Sequence, residues 1–354
     1  MRKLFKLISL VLILAISFSC VQKESTEKGT SKLETVSISK TDTLKFTSGI
    51  RAIFQDSKGN YWFGSHREGV GLFNGESYQY FTTDEGLFDN QIRSIQEDKN
   101  GNIWFGTANG VCSYDGRKIT KHTPITDDYL QIEWQKTGDY LWFNAGNNAG
   151  IYRYDGQKLN YLAFPISNNE SIKNSYGITG ISKDQDAKVW IATYAALFNF
   201  DGEAIQLFDQ TKLALKETDI LHIRSVLADS QGRIWVGNNG IGVLLIQGDA
   251  TINFSEKNNL IHPTSSRRGD KSPAGTLEHV FVIEEDSDGN IWFGDRDTGV
   301  WKYDGKNMTN YTINANLTTS MIWSIYSDKN NNLLLGMADG GVYKFNGTSF
   351  DKTF

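Results

Sequence analysis

The sequence predicts an all-β protein, a seven-bladed β-propeller of four-stranded antiparallel blades. Three observations predict it. A nine-residue phrase recurs along the chain, two kinds of tight turn recur with it, and the copies stand about one four-stranded unit apart. The phrase is DKNGNIWFG at Asp98–Gly106 and returns at Asp56–Gly64, Asp229–Gly237 and Asp286–Gly294. Worn copies at Asp184–Ala192, Asp328–Gly336 and Lys136–Asn144 bring the number to seven, and the last of these keeps mainly its tryptophan.

Each unit contains four short apolar-aromatic runs, read as strands a to d. In the second unit these are Ile92–Glu97, Asn102–Thr107, Gly110–Tyr114 and Lys118–His122, each of ordinary strand length. The a-to-b turn is the repeated phrase, where Asp can bond its own backbone and Gly can take positive φ. The c-to-d turn carries Asp-Gly or Asn-Gly, as in Tyr114-Asp115-Gly116 and Phe345-Asn346-Gly347, a strong hairpin signal. Such a meander has apolar residues on both faces and must be sandwiched, which radial stacking achieves.

Trp62, Trp104, Trp142, Trp190, Trp235 and Trp292 then belong between blades, with Leu334 in the same place in the last unit. Two segments compete to close the seventh blade, Thr43–Thr47 and Ser349–Phe354. The second is favoured because it follows its own c strand after Gly347, leaving the N-terminal segment to lie alongside.

Composition supports this reading. Aromatics at 12% and 34 glycines against 4 prolines suit a β-rich chain with many tight turns. A formal net charge of −5 lacks the basic excess of a nucleic-acid binder.

The first residues read as a targeting segment. Arg2, Lys3 and Lys6 precede an apolar run, Leu7–Ile16, too short to span a membrane, and Cys20 follows small Ser17 and Ser19. The expectation is a bacterial lipoprotein signal over residues 1–19, lipidation at Cys20, a polar tether over 20–42 and a propeller over 43–354. The protein would sit in the cell envelope, lipid-anchored to the outer membrane, as a monomer. Cys112 is then left without a partner and is read as a small buried hydrophobe.

The pattern Asp-x-x-Gly-x-x-Trp-x-Gly, followed by Gly-Val or Gly-Leu, an aromatic and Asp-Gly, resembles the two-component regulator propeller repeat from about Ile50 to Phe354. That resemblance implies the fold above and a sensor-like role. Such propellers commonly form the periplasmic part of hybrid histidine kinases, some of which sense oligosaccharides. With Phe354 closing the seventh unit and no kinase or DNA-binding segment after it, a free-standing version is expected, in which only recognition carries over.

The a-to-b and c-to-d turns repeat, whereas the b-to-c and d-to-a loops differ from unit to unit. The two sets lie at opposite ends of a meander, so a site belongs at the variable end. The b-to-c loops bring His66, Asn147, Tyr194, Asn239, Asp295 and Arg296 there, and Trp323 adds a flat aromatic. The longest insertion, Asn258–Leu277, is polar and contains His262, Arg267 and Arg268. Aligning strand a places His222 and His279 at one position, and Arg51, Arg93 and Arg224 at another two residues further in. The plainer reading of such repeat-equivalent groups is that they bond the neighbouring blade.

Of the catalytic signatures, no His-Glu-x-x-His, paired cysteine, Gly-x-Ser-x-Gly or phosphate loop is found. Asp286–Asn290 resembles the start of a calcium loop but lacks the later bidentate Glu, and is read as one more turn. No cofactor is expected. The resulting expectation is a non-catalytic ligand-binding propeller for a glycan or an envelope protein. Its rivals are a metal-assisted lyase or hydrolase using His222, His279, Glu278 and Glu68, similar to streptogramin-lyase propellers, and a plain protein scaffold.

Overall fold

In the five turns that keep both aspartate and tryptophan, the aspartate does the same two jobs. In the second blade Oδ1 of Asp98 accepts the N–H groups of Asn100 and Asn102 at 2.9 and 3.0 Å, which shapes the turn. Oδ2 accepts Trp104 Nε1–H at 2.9 Å, which ties the turn to the interblade ring. The same aspartate-to-tryptophan bond joins Asp56 to Trp62, Asp184 to Trp190, Asp229 to Trp235 and Asp286 to Trp292, at 2.7–3.1 Å. Gly101 takes φ +80°, the left-handed region in which glycine has no steric cost. Asp286 is occupied in this way by Asp288, Asn290 and Trp292, so its resemblance to a calcium loop is that of a turn.

The protein is a seven-bladed β-propeller of four-stranded antiparallel blades, seen in a computed structural model that describes residues 43–122, 124, 140–146, 148–166, 174–263, 269–311, 313 and 319–354. Strands a to d follow chain order in each fully described sheet. The a strands are Ile50–Gln55, Ile92–Glu97, Ile178–Lys183, Ile223–Ala228, Val280–Glu285 and Ile322–Ser327 in blades one, two, four, five, six and seven. Blade three is described from its b strand, Leu141–Asn144, onward. In blade two the observed b and d strands, Ile103–Thr107 and Ile119–His122, each start one residue later than expected.

The core is a ring of seven interblade clusters. Each contains the tryptophan of one blade, or Leu334 in the last, packed on the described inner strands of the next. Trp62, for example, packs on Ile92, Phe105 and Cys112. Burying each such ring stabilises the fold by roughly 2–3 kcal/mol, before any cost of ordering. Burial also pushes the Cys112 thiol up to about 11, so it is an inert hydrophobe here.

The glycine ending each phrase is explained by the next blade. A Cβ at Gly336 would stand 2.7 Å from the Ile50 carbonyl oxygen of blade one. The C-terminal strand Phe350–Lys352 closes blade seven as the fourth strand of its own sheet. Residues Thr43–Thr47 form no strand. They lie along blades one and seven, with Phe46 in the cluster that also holds Leu334 and Ile50, and with Glu68 accepting the Thr47 and Ser48 N–H groups.

Candidate functional site

A single backbone device builds the centre of the propeller. In every described a strand the register against strand b slips after the first, fully inward aliphatic residue, between Ile50 and Ala52, Ile92 and Ser94, Ile178 and Gly180, Ile223 and Ser225, Val280 and Val282, and Ile322 and Ser324. The extra residue of such a bulge is left out of the ladder and turned aside. Those residues are Arg51, Arg93, Thr179, Arg224, Phe281 and Trp323, and all six line one cavity of about 530 Å³ at the axis. The bulge thus converts one repeated backbone position into a ring of side chains that differ from blade to blade.

Two of the three arginines are held against aromatic faces. The Arg51 guanidinium lies over the Trp323 ring at 4.8 Å, and that of Arg224 lies over Phe281 at 4.1 Å and Tyr194 at 5.3 Å. Stacking of this kind covers the plane of the fork and leaves its N–H edge free to bond. The Nε atoms of Arg51, Arg93 and Arg224 are buried without a hydrogen-bond partner, as are Thr179 Oγ1 and Trp323 Nε1. Burial, with Arg93 and Arg224 nearby, lowers Arg51 to about 10. The three charges therefore sense one another across the cavity.

His66 stands at the edge of this group, its ring 4.7 Å from that of Trp323 at nearly a right angle, and Gln91 Nε2 is 3.2 Å from its Nδ1. Burial, then Arg51, Arg67 and Arg93, hold it down at about 4, so it is neutral at ordinary pH. Tyr194 packs on His222 at 5.1 Å between ring centres.

His222, Asn239 and His279 form one chain of contacts. Asn239 Nδ2 is 3.2 Å from His222 Nδ1, and its Oδ1 is 2.8 Å from His279 Nδ1. With its oxygen toward His279, the amide calls for a proton on that Nδ1 and a bare Nδ1 on His222. His279 and Asn239 are buried, and the trio tightens the junction of blades five and six.

The remaining expected residues lie elsewhere. Asp295 is fully buried, with Oδ1 accepting the N–H groups of Asp297 and Thr298 and Oδ2 those of Glu278 and His279, at 2.8–3.1 Å. Burial pushes its carboxyl up to about 6 against those bonds. Arg296 pairs with Asp297 at 2.7 Å. Asn147, Arg267, Arg268 and Cys20 lie outside the described residues. Glu278 accepts the His262 N–H and Glu68 caps the N-terminal segment, so the four residues of the lyase reading do not converge. Among the described residues no group of three His, Cys, Asp or Glu side chains could hold a metal ion. No described helix is long and apolar enough to cross a membrane.

Sequence reading grouped the arginines but passed over Thr179 and Phe281. Aligning all the a strands on their first aliphatic residue would have found both, because each is the next residue along.

Comparison with known proteins agrees with this architecture. Residues 45–67, 86–109, 219–240 and 276–297 match the profile of the two component regulator propeller family, each stretch spanning an a strand and the turn after it. No curated protein matches the chain. Among solved structures, the extracellular domain of a B. thetaiotaomicron protein described as a hybrid two component system has a TM-score of 0.63 at 20% identity, over 85% of this chain and 39% of that one. That of a protein described as a one component system of the same organism has 0.60 at 23%, over 83% and 38%. This chain spans well under half the length of either. Virginiamycin B lyase from Staphylococcus aureus has 0.61 at 16%, over 85% of this chain and 95% of that one. At these identities the likeness is one of fold. With that fold and its repeated turn, the chain carries repeats of the two component regulator propeller family at four matched stretches.

Proposed function

We propose that the protein is a recognition propeller of the bacterial envelope, sensor-like, lipid-anchored through Cys20 and without chemistry of its own, which binds a glycan at its channel mouth. The observation that carries this reading is the ring of bulge residues. Three guanidinium groups, two of them backed by aromatic rings, converge with unpaired buried donors on a cavity of about 530 Å³. A concave site of this size with a few polar groups on an aromatic lining has the make-up of a small-ligand site. A scaffold for proteins alone would leave such an interior unexplained.

The extracellular propellers of the two B. thetaiotaomicron proteins share this fold, which supports a sensing role outside the cytoplasm. A sugar fits because its hydroxyls can meet many donors at once.

A glycan array probed with the purified protein tests the proposal. Binding to a defined set of sugars is expected, and it should be lost in Tyr194→Ala, which removes a wall of the Arg224 sandwich. An array silent for the native protein, with an envelope protein captured instead, would move the function to a protein partner.

A further inference from the structure

Among the described residues, positive charge gathers around the channel cavity with no carboxylate beside it. Arg51, Arg93, Arg224 and Lys183 line it, and no Asp or Glu is among its described lining residues, in a protein whose net charge is −5. Lys183 is engaged with the Tyr140 carbonyl, so the three arginines define the site.

An arginine in a purely structural role turns its fork toward carbonyls or a carboxylate. Here two of the three forks lie against aromatic faces, and Nε of every one is buried without a partner. Trp323 backs Arg51, and Phe281 and Tyr194 back Arg224. Ser94 Oγ, Thr179 Oγ1 and Trp323 Nε1 add further unpaired groups around the same space. Water can supply acceptor atoms to these donors, but it cannot offset three like charges held in a partly desolvated cavity. Guanidinium forks prefer the planar or tetrahedral oxyanions of carboxylate, sulfate and phosphate, which they grip with two parallel bonds.

We infer that the cavity binds a small polyanion, a molecule carrying at least two carboxylate, sulfate or phosphate groups, with Arg51, Arg93 and Arg224 as its direct ligands. This rests on the recognition function proposed above and names the chemical class of its ligand. The three arginines come from blades one, two and five, so the anionic groups must be spread over the molecule rather than gathered at one end. Thr179 and Ser94 supply hydroxyls to the neutral part between them.

Calorimetric titration of the purified protein tests this, with four sets of probes. These are a disaccharide bearing a uronate and a sulfate, a sugar bisphosphate, the neutral parent sugars of both, and inorganic sulfate and phosphate. The expected result is binding of one charged sugar, competition by the inorganic anion that matches it, and loss of affinity as sodium chloride is raised. Which charged sugar binds separates sulfate and carboxylate from phosphate. Arg51→Gln and Arg224→Gln should each weaken binding about tenfold or more. Arg93→Lys, which keeps the charge and loses the fork, should also weaken it, and it serves if a glutamine variant does not fold. Lys306→Gln, on an exposed turn, should bind as the native protein does.

Neutral sugars binding as tightly as charged ones, with the arginine variants unaffected, would overturn the polyanion and leave glycan recognition standing. Silence toward every sugar, charged or neutral, and toward both inorganic anions would remove both.

Discussion

The phenolic O–H of Tyr61 in the first blade donates to Oδ2 of Asp328 in the last. Elsewhere that oxygen of the turn aspartate is taken by the tryptophan of its own blade, as in Asp98 with Trp104. Blade seven has Leu334 in place of the tryptophan, and a tyrosine from across the closure fills the position. Burial and then the Asp328 bond push the Tyr61 phenol well above its ordinary range. The loss of one repeat feature is thereby turned into a tie between the two ends of the ring.

Tyr61→Phe should therefore lower stability by about 1 kcal/mol, since it removes one of the two side-chain donors to Asp328 Oδ2 and leaves only Asn332. Thermal melting checks this. A melting temperature equal to that of the native protein would show that the bond contributes nothing to closure.

Glu284, half-buried where blade six meets blade seven, should give the fold a pH dependence between weakly acidic and weakly alkaline pH. Burial pushes its carboxyl from 4.5 up to about 8, with the Ser327 N–H pulling the other way. A raised carboxyl favours the fold while it is protonated. Its contribution is present in full below about pH 4.5 and is lost as pH rises to about 8. Glu284→Gln should flatten the profile there and raise stability at pH 8. Denaturant melts at pH 5 and pH 8 give the comparison, and parallel losses in both proteins would refute it.

The turn aspartates set the opposite limit. Burial alone would raise Asp98 and Asp328, but bonds from Asn102 and Trp104 to the first, and from Tyr61 and Asn332 to the second, hold both below their ordinary value. Their contribution is present above about pH 4 and disappears as pH falls through the lowered values. Unfolding in acid should thus begin only below about pH 4, which circular dichroism during an acid titration would reveal.

His66 reports on the channel. In the free protein its imidazole should titrate at about 4, because burial and then Arg51, Arg67 and Arg93 disfavour the cation. A polyanion bound to the arginines would offset their charge, and the value should rise. Proton NMR of the imidazole with and without ligand measures this, and an unchanged value in the presence of a bound anion would place that anion elsewhere.

Asn239→Leu should cost about 1–3 kcal/mol, because it strips buried His279 of its acceptor and His222 of its donor while keeping the volume. Chemical denaturation supplies the number. Asn239→Asp, which still accepts from His279, should cost less.

The sequence by itself determined the repeat, and with it the fold. Asp, Gly, Trp and Gly at fixed offsets are short-range requirements, each imposed by a turn, a ring or a neighbouring blade, so they recur visibly in one dimension. Asp98 and Trp104 are six residues apart and meet whatever the rest of the chain does. The variable end was legible in the same way, as the loops that do not repeat. What the tertiary structure decided is which of the non-repeating residues meet. Arg51, Thr179 and Arg224 come from three blades and share a cavity only because the ring closes and a bulge turns each toward the axis. Asp295, of the same chemical type as a ligand-binding carboxylate, is spent on four backbone N–H groups. Local chemistry fixes a turn, but convergence around an axis is a property of all seven blades at once, and no single stretch of the chain contains it.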